Sequence, residues 1–333
     1  MIVVLAGGTG AAKFVRGLAR VVPQDQIAII VNTGDDLDWW GLRVCPDIDT
    51  ITYCLSGLLD ESRGWGVADD RFTCLEQIRH FGEPAWFQVG DRDLALHLHR
   101  TRLLREGNTL TEVTRRIAEH LGVKALVLPM SDQPVRTMIT TPDGTCSFQE
   151  FFVRDRFEPE VTTVDYRSDD DVCPGPRVLE ILASAQTVIV APSNPITSIG
   201  PILAVPGLRR ALASTDSPVV AVSPIVGNAA VSGPAGKLMR TLGFEVSPLG
   251  VAKVYENFLD GLVADQQDVG LHERCDALGI SVCFTDTIMG NATTAERLAR
   301  AVLDQATGNR NERRSTYAPA DGLAAMRIET KSD

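Results

Sequence analysis

Positive charge is scarce in this sequence. Its 333 residues carry 32 Lys and Arg against 43 Asp and Glu, a formal net charge of −11. General nucleic-acid binding needs a basic surface, so this balance argues against it. A phosphorylated small molecule stays possible, because a few backbone amides, lysines or a metal ion neutralise a phosphate locally.

Paired cysteines and long apolar runs are also missing. The chain has 7 cysteines, an odd number, and no two of them form a Cys-x-x-Cys pair. This favours reduced thiols in a cytoplasmic protein over a disulfide framework or a zinc site. No apolar stretch is long enough to span a bilayer, so we expect no membrane partner. The apolar start turns to glycine after a few positions, which predicts a buried strand rather than a signal peptide.

Short apolar runs alternate with helix-like segments along the chain. Each run is followed by small or polar residues, and the runs are Ile2–Ala6, Ile27–Val31, 125–128, Thr187–Val190, Val219–Val222 and 281–284. Runs without polar alternation are typical of strands covered on both faces, so the pattern predicts an α/β fold with a mostly parallel sheet and helices on both faces. Ligands of such sheets bind beyond the carboxyl ends of the strands, where the small and polar residues lie.

Two stretches break this alternation. Residues from about 47 to 121 are mainly helical, and residues 135–165 contain the turn signal Pro142-Asp143-Gly144 between β-rich segments. We interpret about 47–165 as an inserted helical and hairpin region within a single domain, 1–306. The last residues, 307–333, are polar with weak periodicity and are expected to form a disordered tail.

A glycine-rich turn, Gly7-Gly8-Thr9-Gly10, follows the first predicted strand. Such a turn directs backbone amides towards a phosphate at a helix amino end, with Lys13 one turn further on. Neither the dinucleotide fingerprint GxGxxG nor a Walker A loop fits the residues, and Gly236-Lys237 lacks the Ser or Thr that Walker A requires. Anion binding is favoured, and a tight turn needed only for packing is the alternative.

Two further loops have a similar character. Residues 223–237 read SPIVGNAAVSGPAGK and have few large side chains, and Ser193-Asn194-Pro195 follows another predicted strand. Small residues let a ligand approach the backbone closely, although long plain loops of this composition are common. Three such loops at one sheet edge favour a site for a nucleotide phosphate.

Four carboxylates, Asp35, Asp36, Asp47 and Asp49, follow the second predicted strand. For one of Asp47 and Asp49, which lie just before a helix-like segment, a helix cap is the alternative and the commoner role for such aspartates. Because they cluster near the predicted phosphate site, they also suit Mg²⁺, which takes oxygen ligands. By contrast, His97 and His99 have no evident third ligand nearby and are expected in an ordinary, partly buried segment.

The motifs, taken in order, carry a family resemblance. They are GGTG at 7–10, NTGDD at 32–36, PDIDT at 46–50, GDRD at 90–93, LPMSDQPV at 128–135, APSNPITSIGPI at 191–202 and SPIVGNAAVSGPAGKLM at 223–239. Together they resemble the 2-phospho-L-lactate transferase (CofD-type) family of deazaflavin coenzyme F(420) biosynthesis, including its bacterial phosphoenolpyruvate transferase type. The resemblance runs from the first residue to about residue 306.

The resemblance implies a fold and a reaction. The fold is a Rossmann-like sheet with an added α+β region, commonly in a homodimer. The acceptor is 7,8-didemethyl-8-hydroxy-5-deazariboflavin (Fo), and the donor is a guanosine diphosphate ester of lactate or enolpyruvate. The terminal ribityl hydroxyl of Fo attacks the phosphorus next to the acid, GMP leaves, and Mg²⁺ is required. The sequence does not separate the two donors.

Site residues are assigned by matching the motifs. Asp49 is the catalytic candidate, and Asp49, Arg92 and Asp132 are assigned to Fo. Asp36 and Asp49 are the candidate metal ligands. The nucleotide and phosphate side is assigned to Gly7, Gly8, Thr9, Gly10, Lys13, Asn32, Ser193, Asn194, Pro195, Ser223, Gly227 and Lys237.

Two other classes of protein share parts of this pattern. A non-catalytic regulator of related fold that binds nucleotide-sugars would have the glycine turn and the loop after residue 223, but would not need residues 46–50 or 90–93. A nicotinamide-dependent dehydrogenase is disfavoured because GxGxxG fails.

Overall fold

The strands and helices follow one another along most of the chain in the computed structural model, which describes residues 1–309 and 328–330. The strands are β1 (Ile2–Ala6), β2 (Ile27–Val31), β3 (Leu37–Trp39), β4 (Leu42–Val44), β5 (Leu126–Pro129), β6 (Val135–Thr141), β7 (Gly144–Ser147), β8 (Thr163–Ser168), β9 (Thr187–Val190), β10 (Val219–Val222), β11 (Ile225–Val226), β12 (Ala229–Ala230), β13 (Gly261–Asp265), β14 (Ser281–Thr285) and β15 (Ile328–Thr330). The α-helices are α1 (Gly8–Val21), α2 (Pro46–Ser56), α3 (Thr73–His80), α4 (Asp91–Arg105), α5 (Leu110–His120), α6 (Val178–Ala183), α7 (Gly200–Ala204), α8 (Leu208–Ser214), α9 (Ala235–Thr241), α10 (Pro248–Tyr255), α11 (His272–Asp276) and α12 (Ala292–Asn309).

A seven-stranded sheet forms the centre of the protein, in the order β14-β13-β10-β9-β1-β2-β5. All its neighbouring strands pair in parallel, which confirms the predicted α/β class. The chain builds outward from β1 to β2 and β5, and then continues on the other side of β1 with β9. The sheet therefore has its topological switch point between β1 and β9, where ligands of such folds bind.

Both faces of the central sheet are covered, as the uninterrupted apolar strands predict. Within β1, Val3 and Leu5 face one apolar layer, whereas Ile2, Val4 and Ala6 face the other. The second layer includes the apolar sides of α1, α2 and α12. Alternate residues of one strand thus serve two separate cores, which fixes the register of the sheet.

The region predicted as one insertion, 47–165, is divided by β5, which belongs to the central sheet. Its first part contains α2 to α5. Its second part contributes β6, β7 and the start of β8 to a sheet in the order β15-β8-β6-β7, whose strand β15 comes from outside the region. Strands β6 and β7 pair as the antiparallel hairpin that Pro142-Asp143-Gly144 indicated. Among the described residues, no helix combines the length and the apolar character needed to cross a bilayer.

Only part of the predicted tail, 307–333, can be compared with the structure. Residues 307–309 continue α12, and β15 pairs in parallel with β8. Residues 310–327 and 331–333 lie outside the described residues, so the expected disorder there stays a prediction.

Candidate active site at the carboxyl edge of the sheet

A cavity of about 740 Å³ opens at the carboxyl ends of β1 and β9. It is the size of a typical small-molecule site. Three loops of small residues line it together, as predicted: Gly7-Gly8-Thr9-Gly10, then Pro192-Ser193-Asn194, and Ser232-Gly233-Pro234 from the glycine-rich stretch after β10. Carboxylates from α2 and aromatic side chains from the inserted parts complete the lining.

The glycine turn is closely packed against its neighbours. A Cβ atom on Gly7 would lie 2.7 Å from Oδ2 of Asp47, and one on Gly10 would lie 2.3 Å from the carbonyl oxygen of Pro192. The N–H of Gly7 donates to Oγ of Ser193 (3.3 Å), and the N–H of Gly8 donates to Oδ1 of Asp47 (2.7 Å). Close packing therefore accounts for the lack of a side chain at Gly7 and at Gly10. The next two residues, Thr9 and Gly10, line the cavity. Their backbone N–H groups belong to the first turn of α1, where a helix provides no carbonyl to accept them.

Asn32 connects two carboxylates behind this turn. Its Nδ2 donates to Oδ2 of Asp35 (3.1 Å) and to Oδ2 of Asp47 (2.9 Å), and its Oδ1 accepts the N–H of Gly34 (2.8 Å). Asn32 is fully buried and does not line the cavity. Its observed role is to position Asp35 and Asp47, both of which line the cavity.

The carboxylates of Asp35 and Asp47 are buried and have little contact with solvent. Burial, and then the charges of Asp47 and Asp36, raise the pKa of Asp35 well above its usual value. Burial also raises the pKa of Asp47 to about 6, against the hydrogen bonds from Gly8 and Asn32. Oδ1 of Asp35 makes no hydrogen bond of normal geometry within the described residues. Such a pair is stabilised by a proton or by a cation.

Asp49 lies in the first turn of α2, which begins with Pro46, and it lines the cavity. Nη1 of Arg100 donates to Oδ2 of Asp49 (3.0 Å), and Nη2 of Arg100 donates to Oδ1. Arg100 is 0% exposed, and Asp49 is 4% exposed. Burial works against the charge of Arg100, but the carboxylate of Asp49 outweighs it and raises the pKa of Arg100. Asp49 is thus fixed in orientation by a two-pronged ion pair.

Three other residues extend this buried network. Nδ1 of His97 lies 3.7 Å from Oδ2 of Asp49, and its Nε2 lies 3.4 Å from Oδ1 of Asp93, which accepts the hydroxyl of Tyr53 (2.7 Å). The structure separates the two histidines, because His99 is exposed whereas His97 is buried between Asp49, 48 residues away on α2, and Asp93, one turn away on α4. The spacing of Asp93, His97 and Arg100 places them on one helix face, a signal that the sequence did contain.

The predicted metal ligand Asp36 faces a neighbouring cavity of about 380 Å³. Nη2 of Arg43 donates to its Oδ2 (3.1 Å), and burial raises the pKa of Asp36 to about 6 although the charge of Arg43 acts in the opposite direction. Asp36 and Asp49 therefore each pair with an arginine, and only Asp49 lines the main cavity. Their assignment to metal stays a prediction.

The other residues assigned to Fo lie away from the cavity lining. Arg92 is exposed at the start of α4, where its Nη1 donates to the carbonyl of Ala68 (3.0 Å). Oδ1 of Asp132 accepts the N–H of Thr111 (2.7 Å) at the start of α5.

Of the twelve residues assigned to the nucleotide, six line the main cavity and six, including Asn32, do not. Gly7, Gly8, Thr9, Gly10, Ser193 and Asn194 line the main cavity. Lys13 is exposed and lines a separate cavity of about 20 Å³, and Pro195 is buried outside the main lining.

Ser223, Gly227 and Lys237 have local structural contacts instead. Oγ of Ser223 accepts the N–H of Ile225 (3.1 Å), and the N–H of Gly227 donates to both carboxylate oxygens of Asp268 (3.0 Å each). Nζ of Lys237 donates to three consecutive carbonyls, those of residues 157–159. These residues position loops, and none of the three lines the cavity.

Aromatic rings form the remaining walls. Trp86 and Phe87 line the main cavity on one side, and Trp86 packs edge-on against Trp39 with ring centroids 4.7 Å apart. Phe148 and Phe152 line another part and stack at 5.4 Å with an interplanar angle of 11°. These walls suit a flat aromatic ring.

Known proteins resemble this chain over nearly its whole length. The profile of the family described as 2-phospho-L-lactate transferase CofD matches residues 2–282. The 2-phospho-L-lactate transferase of Methanosarcina mazei is 41% identical over 301 residues, covering 90% of this chain and 99% of that protein. A phosphoenolpyruvate transferase of Streptomyces griseus is 41% identical over 311 residues, covering 92% of this chain and 98% of that protein.

A solved structure shares the fold. The protein BH3568 of Bacillus halodurans, a member of the UPF0052 family, matches with a TM-score of 0.62 and 18% identity, covering 91% of this chain and 98% of that one. At this identity the likeness concerns the fold alone. The profile match and the two relatives, by contrast, show that the chain belongs to the 2-phospho-L-lactate transferase (CofD) family and is a transferase.

Proposed function

We propose that this chain moves a phospholactyl or phosphoenolpyruvyl group from a guanosine diphosphate-linked donor to the terminal ribityl hydroxyl of Fo, with release of GMP. The observation that carries the proposal is a single cavity that combines a glycine-rich helix start, buried carboxylates and aromatic walls. Each of these three parts suits one part of the reaction: a diphosphate, a hydroxyl with a cation, and a deazaflavin ring.

The donor is assigned to the loops of small residues. The amides of Thr9 and Gly10 at the start of α1 suit a phosphate, because a helix amino end carries partial positive charge. The loop that contains Ser193 and Asn194 lies beside them at the next strand end. Phosphoryl transfer depends mainly on positioning and on neutralising charge, so these contacts serve the reaction without a protein nucleophile.

The acceptor is assigned to the aromatic walls and to Asp49. With its ring against Trp86 and Phe148, Fo extends its ribityl chain towards the carboxylates. Asp49, held by Arg100, accepts a hydrogen bond from the terminal hydroxyl and directs its oxygen at the phosphorus next to the acid. The new P–O bond forms as the bond to GMP breaks, and the hydroxyl proton leaves by way of the carboxylate or solvent.

Mg²⁺ is part of the proposal, and the donor set fits it. Asp35 and Asp47 offer buried carboxylate oxygens at the cavity, one of them without a hydrogen bond of normal geometry within the described residues. Oxygen ligands of this kind suit Mg²⁺. Asp35 and Asp47 would hold the ion, whereas Asp36 and Asp49 already pair with arginines. When bound, Mg²⁺ would neutralise negative charge on the diphosphate of the donor.

The test is a transfer reaction with defined components. Purified protein, Mg²⁺ and Fo are incubated with the lactyl donor or the enolpyruvyl donor, and the deazaflavin product is identified by mass. We expect a product with one of the donors, and the mass identifies which group is transferred. Absence of product with both donors, for protein that is folded by circular dichroism, would refute the proposal.

The expected cytoplasmic location and homodimer stay predictions. The alternative of a non-catalytic regulator is disfavoured, because the chain belongs to a family of transferases.

A further inference from the structure

We propose that Arg156 binds a phosphate of the guanosine diphosphate-linked donor, and that Lys237 holds the loop that presents Arg156 to the cavity. This inference rests on the proposed function, since it concerns the donor side of the same cavity. It assigns a role to Lys237 that differs from the direct phosphate contact predicted from the sequence.

Arg156 is a cation at the cavity wall for which residues 1–308 provide no hydrogen-bond or ion-pair partner. It lines the cavity, and within residues 1–308 it forms no hydrogen bond or ion pair. Arg154 lines the same wall, but it is engaged by Oε1 of Glu150 (2.8 Å) and by the carboxylate of Asp155. Arg79, near Trp86, donates to the carbonyl of Ala85 (3.5 Å).

The lining of the cavity is rich in carboxylates, so an anionic donor requires a cation there. Four carboxylates line it, those of Asp35, Asp47, Asp49 and Asp93. The donor brings further negative charge on its phosphates and its acid, whereas the ribityl chain of Fo is neutral. A guanidinium suits phosphate oxygens because it offers planar, paired donors and stays charged. Of the two substrates, the donor is therefore the one that Arg156 recognises.

The backbone around Arg156 adopts a conformation that needs support. Arg156 and Phe157 have φ angles of 51° and 48°, in the left-handed region that non-glycine residues seldom occupy. They follow a π-helical turn, Glu150–Arg154, a rare element frequently found at functional sites. Two consecutive left-handed residues persist only where the surroundings hold them.

Lys237 supplies much of this support. Its Nζ donates to the carbonyls of Phe157 (3.1 Å), Glu158 (2.9 Å) and Pro159 (2.8 Å), which uses all three donors of the ammonium group. Phe157 also stacks on Phe152 with ring centroids 5.7 Å apart and an interplanar angle of 17°. Lys237 belongs to α9, which directly follows the cavity-lining residues Ser232-Gly233-Pro234. The lysine thus ties the Arg156 loop to the donor side of the cavity.

The test is a calorimetric titration of the full-length protein with GDP in the presence of Mg²⁺, which measures the dissociation constant of GDP. GDP has the phosphates but no acid group, and guanosine serves as the probe without phosphate. Arg156→Gln should weaken GDP binding about 10-fold to 100-fold, the range expected for loss of a hydrogen-bonded charge, and leave guanosine binding unchanged. Arg156→Lys should give an intermediate loss, and the matched control Arg154→Gln should bind GDP like the wild type.

Lys237→Met keeps the apolar stem of the side chain and removes its three donors. If Lys237 acts through Arg156, it should weaken GDP binding in the wild-type background and have no further effect in Arg156→Gln protein. An equal loss in both backgrounds would overturn the role of Lys237, since a purely structural contribution does not depend on Arg156.

The role of Arg156 is overturned if Arg156→Gln binds GDP within two-fold of the wild type. It is also overturned if guanosine binding falls as much as GDP binding, or if Arg154→Gln has the same effect. Because the titration needs no turnover, it separates this inference from the proposed function. Lack of transfer to Fo would refute the reaction and leave the GDP result standing, and normal transfer with unaltered GDP binding would refute Arg156 alone.

Discussion

Asp49 is held at the cavity wall by a guanidinium that water does not reach. Arg100 and Asp49 come from α4 and α2, and each is the main neutralising charge of the other. Removing one partner of a buried ion pair leaves an uncompensated charge, which usually costs about 3–5 kcal/mol of stability. Asp49 therefore has a structural role beside the chemical role proposed for it, and experiments must separate the two.

The variant Asp49→Asn should lower both activity and stability. We expect the single-turnover rate of transfer to fall on the order of 10²–10⁴-fold, the usual loss for a positioned acid–base group. The free energy of unfolding should fall by about 3–5 kcal/mol, because Arg100 loses its counter-charge. Rates are measured at saturating Fo and donor, with urea unfolding in parallel.

The double variant Asp49→Asn with Arg100→Gln is the control that separates these effects. It removes the buried charge as well as the carboxylate, so part of the lost stability should return while the transfer rate stays low. Recovery of the transfer rate together with stability would show that Asp49 acts only through folding, against the role proposed here.

At the scale of elements, the start of α1 and the loop after β9 touch through Gly10. A Cβ atom there would lie 2.3 Å from the carbonyl oxygen of Pro192, so the two walls of the donor side must separate to admit it. Gly10→Ala should reduce the free energy of unfolding by about 1–3 kcal/mol, the cost of overpacking, and weaken GDP binding. Urea unfolding and GDP titration measure the two effects.

Gly270→Ala is the matched control for Gly10→Ala. A Cβ atom on Gly270 meets no atom within 4 Å, so stability and GDP binding should stay at their wild-type values. If Gly10→Ala behaves like this control, the close contact between α1 and Pro192 does not shape the donor side.

Strands could be predicted from the sequence where a single segment of the chain contains the complete apolar pattern. The strands that precede Gly7, Asn32, Ser193 and Ser223 read as apolar runs, and their shared edge followed from the parallel sheet. β13 was not predicted, because only Leu262, Val263 and Ala264 are apolar between the acidic residues that flank them. Strand β13 is buried because it pairs with β10 and β14. Pairing with distant strands leaves no local pattern in the sequence.

Contacts between distant segments were harder to predict. The sequence indicated Asp49, but not that Arg100, 51 positions away, pairs with it. Lys237 follows a glycine-rich stretch and so resembled a phosphate ligand, yet its side chain turns to the carbonyls of residues 157–159. The type of side chain at each position is read from the sequence, whereas the direction in which it points depends on tertiary packing.

At the scale of the whole molecule, the proposed binding of Mg²⁺ would couple the cavity to stability. A ligand that binds only the folded state stabilises it, by about 2.7 kcal/mol at a concentration 100 times its Kd. Mg²⁺ should therefore raise the melting temperature of chelator-treated protein, and Asp35→Asn should abolish this rise. Thermal melting with and without Mg²⁺ is the measurement.

Asp36→Asn is the comparison that decides between the candidate ligands. We expect it to keep the Mg²⁺-dependent rise, because Asp36 faces the neighbouring cavity and pairs with Arg43. If Asp36→Asn loses the rise and Asp35→Asn keeps it, the assignment made from the sequence is right and the one made from the geometry is wrong.

The central claim is that this cavity transfers a phosphate-linked acid from a guanosine diphosphate donor to Fo, and the coupling of GMP release to Fo consumption tests it most directly. Both quantities are followed in one reaction with Mg²⁺, by chromatography with mass detection, with and without Fo. The account predicts one GMP released for each Fo consumed and almost none without Fo. GMP release at the same rate without Fo would show hydrolysis instead of transfer and would contradict the account.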